Sequence, residues 1–328
     1  MRRVLLIATG GTIASLPEEN GLAPAMTGEE LAARVPQLAE VCDFDVVQPM
    51  NIDSTNMHPD GWLRIARCIT DSYDCYDGFV VLHGTDTMAY TAAALSYLIQ
   101  GSRKPIVLTG SQQPMANPFT DAKLNLYQAV LYACDETSRD VCLVFDGHVI
   151  AGTRARKQRT MSFNAFASVN YPDLAVIRND RIVRPGGMAA PGPTEMRSYE
   201  TLDERVVVMK LTPSLSPTTF DLLRDSCDAL ILETFGIGGI PESLRESVLG
   251  WADSGRTVVM TTQVPEEGLD LGVYEVGRPY AQHPGVLRGR DMTTEALVAK
   301  TMWALGQSHD LEQVRELFDR PVNFDCLP

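Results

Sequence analysis

Short β-branched runs alternate with helical patterns along the first half of the chain. The strand-like runs are Val4–Ala8, Phe44–Gln48, Gly78–Leu82, Pro105–Thr109 and Val141–Phe145. The helical patterns between them lie near Thr27–Val35, Asp60–Thr70, Tyr90–Gln100 and Asp121–Ala133. A repeated strand–helix order predicts an α/β fold, with a mainly parallel sheet that is flanked by helices. In such a sheet, ligands bind in the loops that follow the carboxyl ends of the strands.

The alternation is interrupted after Val149 and starts again near residue 206. The later strand patterns are Val206–Leu211, Ala229–Thr234 and Thr257–Thr262, and the later helical patterns are Glu242–Ser254, Thr293–Leu305 and Leu311–Asp319. The segment "RIVRPGGMAAPGPTEMRSYETLDE" (181–204) contains glycine and proline clusters without an apolar period, which is typical of a linker or a meandering loop. We therefore predict an N-terminal α/β domain over 1–185, a linker over 186–205 and a smaller C-terminal α/β domain over 206–328.

Charge and cysteine usage exclude several classes of function. The chain of 328 residues has a net charge of −14 and no basic stripe with interleaved aromatic residues, so we expect no nucleic-acid partner. The apolar stretch of "MRRVLLIATGGTIAS" is too short for a signal peptide, and no run of apolar residues is long enough to span a membrane. The seven cysteines are scattered, which predicts reduced thiols in a cytosolic protein and no zinc site.

The first turn that could carry chemistry is "ATGGTIAS" (8–15), directly after the first strand. Its glycines permit a tight turn that exposes backbone N–H groups to an anion or a developing oxyanion. Thr12 could act as a nucleophile if a neighbouring group removed its proton. The spacing fits neither a dinucleotide fingerprint nor a phosphate-binding loop. The alternative is an ordinary strand-end turn with capping hydroxyls.

The second turn is "HGTDT" (83–87), between a buried strand and an alanine-rich helix. Thr85, Asp86 or Thr87 would each make a good N-cap for that helix. A single cap needs only one of them, so three polar residues at the carboxyl end of a strand favour a binding or catalytic role. A structural histidine with satisfied hydrogen bonds is the favoured interpretation of His83.

Two further segments give weaker local signals. Lys157 lies in the basic run of "DGHVIAGTRARKQRT" (146–160), for which the residues alone favour a solvated loop over a lysine that acts as a base. "NIDSTNM" (51–57) is by itself more typical of a turn than of a carboxylate-binding segment. Neither a G-x-S-x-G elbow nor an H-E-x-x-H motif occurs in the sequence.

Taken together, these segments resemble a known family. "ATGGTIAS" followed by "VVLHGTDTMAYTA" is similar to both signatures of the bacterial-type L-asparaginases. "NIDSTNM", "KPIVLTGSQ" (104–112), "SVNYP" (168–172) and "TTEALVAKTMWAL" (293–305) are similar to family stretches in the same order. The resemblance covers essentially the whole chain and is greatest to the cytoplasmic type I group.

The resemblance implies an enzyme that converts L-asparagine and water to L-aspartate and ammonia, without a metal or cofactor. Thr12 matches the nucleophile that forms the acyl-enzyme, and Thr85 matches the threonine that activates water. Asp86 and Lys157 complete a Thr–Lys–Asp arrangement, which opposes the local interpretation of the basic run. The implied substrate contacts come from the same loops: Gly11, Asp53, Ser54, Thr55, Thr85, Asp86 and Ser111.

The chain departs from the family pattern at two places. Many members have a tyrosine after the first motif that hydrogen-bonds the nucleophile, and Leu22 aligns with it here. Tyr274 is a candidate replacement. Gly239 lies near the place where some members, notably secreted ones, have an asparagine that is lent by a neighbouring subunit.

Family resemblance also predicts a cytoplasmic homodimer or homotetramer. Two alternatives remain on the same fold. One is the related subunit that supplies ammonia to a tRNA-dependent amidotransferase, which has an extra N-terminal domain, whereas the first strand here starts at residue 3. The other is a non-catalytic amino-acid sensor, which is disfavoured because such a sensor needs no nucleophile.

Overall fold

The computed structural model describes residues 1–18, 21–186 and 195–327, and at 17–18 and 22–23 it describes only the backbone. The chain divides into two compact units, Met1–Glu200 and Thr201–Pro328. Part of the predicted linker, residues 187–194, lies outside the described residues. The proposed domain boundaries at 185 and 206 stay predictions.

The first unit contains fourteen strands and five α-helices among its described residues. The strands are β1 Arg3–Ala8, β2 Ser15–Glu18, β3 Gly21–Pro24, β4 Asp43–Val47, β5 Gly78–Leu82, β6 Ile99–Gln100, β7 Pro105–Thr109, β8 Asp140–Phe145, β9 His148–Ala151, β10 Ala155–Lys157, β11 Phe166–Ser168, β12 Ala175–Arg178, β13 Arg181–Val183 and β14 Arg197–Ser198. The helices are α1 Gly28–Ala33, α2 Leu38–Val41, α3 Pro59–Asp71, α4 Met88–Leu98 and α5 Ala122–Ala133. Short 3-10 turns occur at Thr12–Ala14, Ser54–Asn56 and Tyr73–Cys75.

An eight-stranded sheet in the order β13-β12-β9-β8-β7-β5-β1-β4 forms the centre of this unit. The strands from β8 to β4 pair in parallel, and β9, β12 and β13 extend the sheet with antiparallel pairs. The chain runs from β1 to β4 on one side of β1 and then to β5 on the other side. The carboxyl ends of β1 and β5 therefore lie at the point where the strand order reverses, which is the usual ligand site of an open α/β sheet.

Helices cover both faces of the central sheet. On one face, Val4, Leu6, Val80 and Leu82 share a buried core with α1, α2 and α5. The alternate residues of β1 and β5 are buried as well, and α4 contacts β7 and β8. Strands that are buried on both faces are continuous apolar runs, which is the pattern that "GFVVL" of β5 has in the sequence.

The predicted strands and helices of this unit are present, and their bounds differ from the observed ones by at most two residues. At the end of α4, Ile99–Gln100 forms the short strand β6, which pairs with β14. The interpretation of 181–204 as a linker or loop is wrong for two short strands within it, since β13 is the edge strand of the central sheet and β14 pairs with β6. Residues 199–204 are irregular, as expected. Strands this short lack a run of apolar residues long enough to be recognised.

The second unit has its own sheet and core. Its strands are β15 Val206–Lys210, β16 Ala229–Thr234, β17 Thr257–Thr262 and β18 Val286–Arg288, in that order and all parallel. Its helices are α6 Thr218–Leu223, α7 Arg245–Asp253, α8 Arg278–Gln282, α9 Thr294–Gln307 and α10 Leu311–Asp319, with 3-10 turns at Glu242–Leu244 and Glu275–Gly277. A buried ion pair between Lys300 of α9 and Asp325 lies in this unit, at 2.6 Å between Nζ and Oδ2. The prediction of an α/β fold with a larger N-terminal and a smaller C-terminal sheet is confirmed.

Candidate active site

Two glycines allow the loops after β1 and β5 to touch. Gly11 has a φ of +77°, and a Cβ atom at this position would lie 2.3 Å from the Cα atom of Gly84. A Cβ atom at Gly84 would in turn lie 2.5 Å from Oγ of Ser54, in the loop that follows β4. No side chain fits at either glycine, so backbone meets backbone. The contact places Thr12 and Thr85, the next residue in each loop, on neighbouring turns.

The turn that carries Thr12 is fixed by its own hydrogen bonds. The Gly11 N–H group donates to the Ile52 carbonyl at 2.8 Å, so this amide is engaged with the chain itself. The Gly11 carbonyl accepts from the Ala14 N–H group at 3.0 Å and from the Ser15 hydroxyl at 3.1 Å. Among the described residues, the Thr12 N–H group and hydroxyl have no hydrogen-bond partner. Both are therefore free to meet a ligand in the described part of the site.

Lys157 joins the two polar residues of the turn after β5. Its Nζ atom lies 2.8 Å from Oγ1 of Thr85 and 2.6 Å from Oδ1 of Asp86. Asp86 has 57% of its side chain exposed and Lys157 has 17%, so the carboxylate still faces solvent while the ammonium is largely covered. This arrangement brings together residues that lie more than 70 positions apart in the sequence.

The basic run around Lys157 is a solvated loop only in its last part, where Gln158, Arg159 and Thr160 are exposed. Lys157 ends strand β10, which pairs with β11 so that Lys157 lies opposite Phe166. Arg154 is fully buried, with its guanidinium over the ring of Tyr171 and hydrogen-bonded to the Val169 carbonyl. The local interpretation is therefore wrong for 154–157, because β-pairing and burial fix the direction of the lysine side chain.

The segment after β4 forms the turn that its sequence predicts. Oδ1 of Asp53 accepts hydrogen bonds from the N–H group of Thr55 at 2.8 Å and from its hydroxyl at 2.7 Å. The Thr87 hydroxyl donates to the Ser54 carbonyl at 2.7 Å, which ties this turn to the loop after β5. The structure thus places Asp53, Ser54 and Thr55 beside the glycine contact.

His83 is a structural histidine, as expected. Its Nδ1 atom lies 2.7 Å from the Gly84 carbonyl, which can only accept, so Nδ1 carries the proton. Nε2 lies 2.9 Å from the Thr91 hydroxyl, and the Trp62 indole N–H group donates to that same hydroxyl at 3.0 Å. Thr91 therefore accepts from Trp62 and donates to Nε2. Burial lowers the pKa of His83 to about 4, so the imidazole is neutral at neutral pH.

The loop after β7 brings a residue to the site that the sequence motifs did not indicate. Thr85 donates from Oγ1 to the side-chain Oε1 atom of Gln112 at 3.1 Å. Ser111, an expected substrate contact, is fully buried, and its hydroxyl donates to the Gln113 carbonyl at 2.5 Å. Its contact with a substrate stays a prediction. The sequence feature that could have indicated Gln112 is its position after β7, the parallel strand next to β5.

Of the three positions where the chain departs from the family pattern, two belong to the second unit and one is described only by its backbone. Tyr274 is an exposed residue of the second unit, just before the 3-10 turn Glu275–Gly277. Gly239 forms a bridge with Phe235 in that unit. The backbone of Leu22 belongs to β3, and its side chain lies outside the described part of the chain.

Within residues 1–18, 21–186 and 195–327, none of the side chains named at this site belongs to a cluster of potential metal ligands. Each of the helices that the structure describes is too short or too polar to cross a lipid bilayer.

Comparison with known proteins places this geometry in a family. Residues 3–185 match the model "Asparaginase, N-terminal", and residues 205–318 match the model "Glutaminase/Asparaginase C-terminal domain". The L-asparaginase of Thermococcus kodakarensis is 38% identical over 98% of both chains. A solved structure of the thermostable L-asparaginase from that organism has a TM-score of 0.91 and 37% identity over 99% of both chains.

Two further relatives are informative about subgroup. The crystal structure of L-asparaginase I from Vibrio cholerae has a TM-score of 0.89 and 30% identity, and covers 100% of this chain and 99% of that one. One subunit of the glutamyl-tRNA(Gln) amidotransferase of Pyrococcus abyssi is 35% identical over 96% of this chain, and the match covers 74% of that protein.

Proposed function

Because the chain belongs to the asparaginase/glutaminase family, we propose that it hydrolyses L-asparagine to L-aspartate and ammonia through a threonine acyl-enzyme. One observation carries the proposed chemistry. Lys157 Nζ lies 2.8 Å from Thr85 Oγ1 and 2.6 Å from Asp86 Oδ1. These two residues belong to the loop beside the turn of Thr12. A lysine held against a threonine hydroxyl is the arrangement that makes a weak alcohol reactive.

In the first step, Thr12 Oγ1 attacks the side-chain carboxamide carbon of asparagine. The hydroxyl proton that Thr12 loses as the bond forms is passed to the departing nitrogen, which leaves as ammonia. The product is an ester between Thr12 and the β-carboxyl group of aspartate. The Thr12 N–H group begins a 3-10 turn and is a candidate donor to the developing oxyanion, where one such donor contributes about 3–4 kcal/mol.

In the second step, water hydrolyses that ester. Thr85 takes a proton from water while its own hydroxyl proton passes to Lys157 in the neutral amine form. The oxygen of water bonds to the acyl carbon, and Thr12 Oγ1 leaves and takes up the proton. The overall reaction consumes one water and releases one aspartate and one ammonia. Because Asp86 faces solvent as well as Lys157, it is also available to pair with the α-ammonium group of the substrate.

The polar loops explain selection of an α-amino acid. A zwitterion needs a carboxylate for its ammonium group and neutral donors for its carboxylate. Asp86 supplies the first, and the hydroxyl group of Ser54 is a donor for the second, in the turn that Asp53 and Thr55 hold in place. The carboxylate of Asp53 accepts twice from Thr55, so its charge is directed into its own turn.

The amidotransferase subunit is the second candidate. It shares the ammonia-releasing chemistry, and the Pyrococcus abyssi protein is 35% identical, against 38% for the Thermococcus kodakarensis L-asparaginase. The two candidates differ in the acceptor of ammonia. An asparaginase releases free ammonia from asparagine without tRNA or a second subunit, whereas the amidotransferase activity depends on both.

The direct test measures ammonia release from L-asparagine, L-glutamine and D-asparagine by the purified protein. We expect turnover of L-asparagine in the absence of tRNA, and a loss of about three or more orders of magnitude in kcat for Thr12→Ala and Thr85→Val. Thr137→Ala is the control, because the hydroxyl group of this exposed residue hydrogen-bonds, among the described residues, to Asp135 alone. Tight binding of aspartate without turnover would identify a sensor instead.

The finer assignments of assembly and location are also proposals. We propose a cytoplasmic homodimer or homotetramer. In the first unit, Phe119 and Met161 are each 84% exposed, and the Gln112–Ser162 hydrogen bond joins the two loops that carry them. Apolar side chains this exposed favour a protein interface. Sedimentation of the wild type and of Phe119→Asp is the test, and an unchanged sedimentation coefficient would reject this surface. All seven thiols are unpaired, which supports a reducing compartment, and cell fractionation tests that location.

A further inference from the structure

We infer that Gln112 is a positioning residue that sets the direction of the Thr85 hydroxyl group. The inference rests on the proposed function, since it assigns a role to Gln112 through Thr85. Gln112 follows β7, the strand next to β5, and its side chain reaches across to the turn that carries Thr85. It is held there by groups at both ends of its amide and by its own backbone.

The orientation of the Gln112 amide follows from its two partners. The side-chain Nε2 atom lies 3.2 Å from the carbonyl oxygen of Ser162, which can only accept a hydrogen bond. The NH₂ group must therefore point toward Ser162, in the loop that follows Lys157. Oε1 then faces Thr85, at 3.1 Å from its hydroxyl oxygen. Reversing the amide would leave two oxygens opposed at Ser162.

The direction of the Thr85 proton follows in turn. The ammonium group of Lys157 has only donors, so Thr85 Oγ1 accepts from Nζ at 2.8 Å. With Lys157 in its ammonium form, the single hydroxyl proton is therefore directed to Oε1 of Gln112, and it turns to Nζ once that nitrogen has lost a proton. The chain of donors runs from Lys157 through Thr85 to Gln112 and on to Ser162. Thr85 thus keeps one side-chain rotamer, in which its oxygen faces the lysine nitrogen.

The backbone of Gln112 is clamped by one buried carboxylate. Asp121, which is 9% exposed, accepts from the N–H group of Gln112 at 2.9 Å and from that of Gln113 at 3.0 Å. Asn125 donates to the same carboxylate at 3.1 Å. Because two consecutive amides bind one carboxylate, the turn cannot drift away from Thr85. The neighbouring Gln113 side chain turns away, and its Oε1 atom accepts from Asn117.

Gln113 therefore offers a matched control. Gln112→Leu removes both side-chain hydrogen bonds of Gln112, and Gln113→Leu removes a glutamine of the same turn that does not touch Thr85. For Gln112→Leu we expect kcat for asparagine to fall about 10- to 100-fold, as for loss of a hydrogen bond to a charged network, with KM within about threefold of wild type. For Gln113→Leu we expect both constants within about threefold.

Gln112→Glu keeps the acceptor at Thr85, replaces the donor to the Ser162 carbonyl by a carboxylate oxygen, and adds a negative charge beside Lys157. We expect kcat at the optimal pH within about fivefold of wild type. The acidic limb of the kcat–pH profile should move to higher pH by about 0.5–1 unit, because the added charge holds the proton in the Lys157–Thr85 pair more firmly. A purely structural glutamine would not produce this movement.

Two outcomes would overturn the inference. One is an unchanged kcat and pH profile in Gln112→Leu and Gln112→Glu. The other is a rise in KM at constant kcat, which would mean that Gln112 only tethers the loop at Ser162. Both are measured against an active wild type. An inactive wild type would instead reject the proposed function, so the two failures are distinguishable.

Discussion

His83 should make the first unit lose stability in acid, and replacing it should abolish that loss. The imidazole is fully buried, donates from Nδ1 to the Gly84 carbonyl and accepts at Nε2 from Thr91. Protonating Nε2 would set a donor against the Thr91 hydroxyl and place a charge in the interior. His83→Asn removes the titrating group and can still place an amide N–H near the Gly84 carbonyl.

The sign and size of the effect follow from the two pKa values of His83. The pKa is about 4 in the folded chain and 6.5 in the unfolded chain, so the unfolded state binds the proton first as pH falls. The free energy of unfolding therefore decreases below about pH 6.5, at up to about 1.4 kcal/mol per pH unit, and stops changing below about pH 4. By pH 4.5 the loss amounts to about 2.5 kcal/mol.

Asp140 acts in the opposite sense over the same range. Burial raises the pKa of this carboxyl group to about 6, so the folded state binds its proton before the unfolded state does as pH falls. Through this group, a lower pH therefore increases the free energy of unfolding. In the wild type alone, the contribution of Asp140 would offset that of His83 to the pH dependence of stability. The difference between wild type and variant isolates it, because both proteins contain Asp140.

Urea unfolding at several pH values between about 7.5 and 4.5 measures that difference. Near neutral pH we expect His83→Asn to be the less stable protein, because packing and the contact with Thr91 are lost. The difference in the free energy of unfolding between wild type and His83→Asn should decrease by about 2.5 kcal/mol at the acidic end of that range. His148→Asn is the control, since that imidazole is 46% exposed and pairs with Asp173 at the surface. A difference that stays constant over the whole range would refute the reasoning.

Two further predictions concern the glycine contact and the second unit. Gly84→Ala should lower kcat/KM at least about 100-fold with the fold retained, because its Cβ atom would lie 2.5 Å from Oγ of Ser54. Gly250→Ala is the control, since a Cβ atom at this position of α7 meets open space. The control substitution should raise the free energy of unfolding by about 0.5–1 kcal/mol. Lys300→Met should cost about 3–5 kcal/mol in urea unfolding at neutral pH, because it removes the ammonium group from a fully buried carboxylate, and adding Asp325→Leu should recover part of that loss.

The parallel core of the fold was predictable, and its antiparallel margin was not. "GFVVL" and "PIVLT" are buried on both faces, so each is a continuous apolar run that the sequence displays. Strands β12 and β13 pair through Ile177 with Ile182 and through Arg178 with Arg181. A hairpin this short, with an arginine at each end of its turn, has the composition of a loop. Its pairing depends on the neighbouring strand β9, which no local pattern reveals.

The candidate site was predictable where its residues directly follow strands. Thr12 and Thr85 stand at the carboxyl ends of β1 and β5, so the fold class alone suggests that they meet. Lys157 needed the family resemblance, because its local sequence is that of a solvated basic run and its partners lie more than 70 residues away. Gln112 was missed, since a glutamine in a turn has no distinctive local pattern and its contact depends on the clamp at Asp121.

The register of β1 and β5 also determines where the chain tolerates a change of length. Ala8 pairs directly with Leu82, and both the N–H group and the hydroxyl of Thr9 donate to the Leu82 carbonyl. Only short segments separate these anchors from Thr12 and Thr85. An insertion of one residue in either segment would rotate the following side chain away from its neighbour, and no compensating slack exists between the anchors and the two threonines. Natural or engineered insertions should therefore be absent from 8–12 and 82–85.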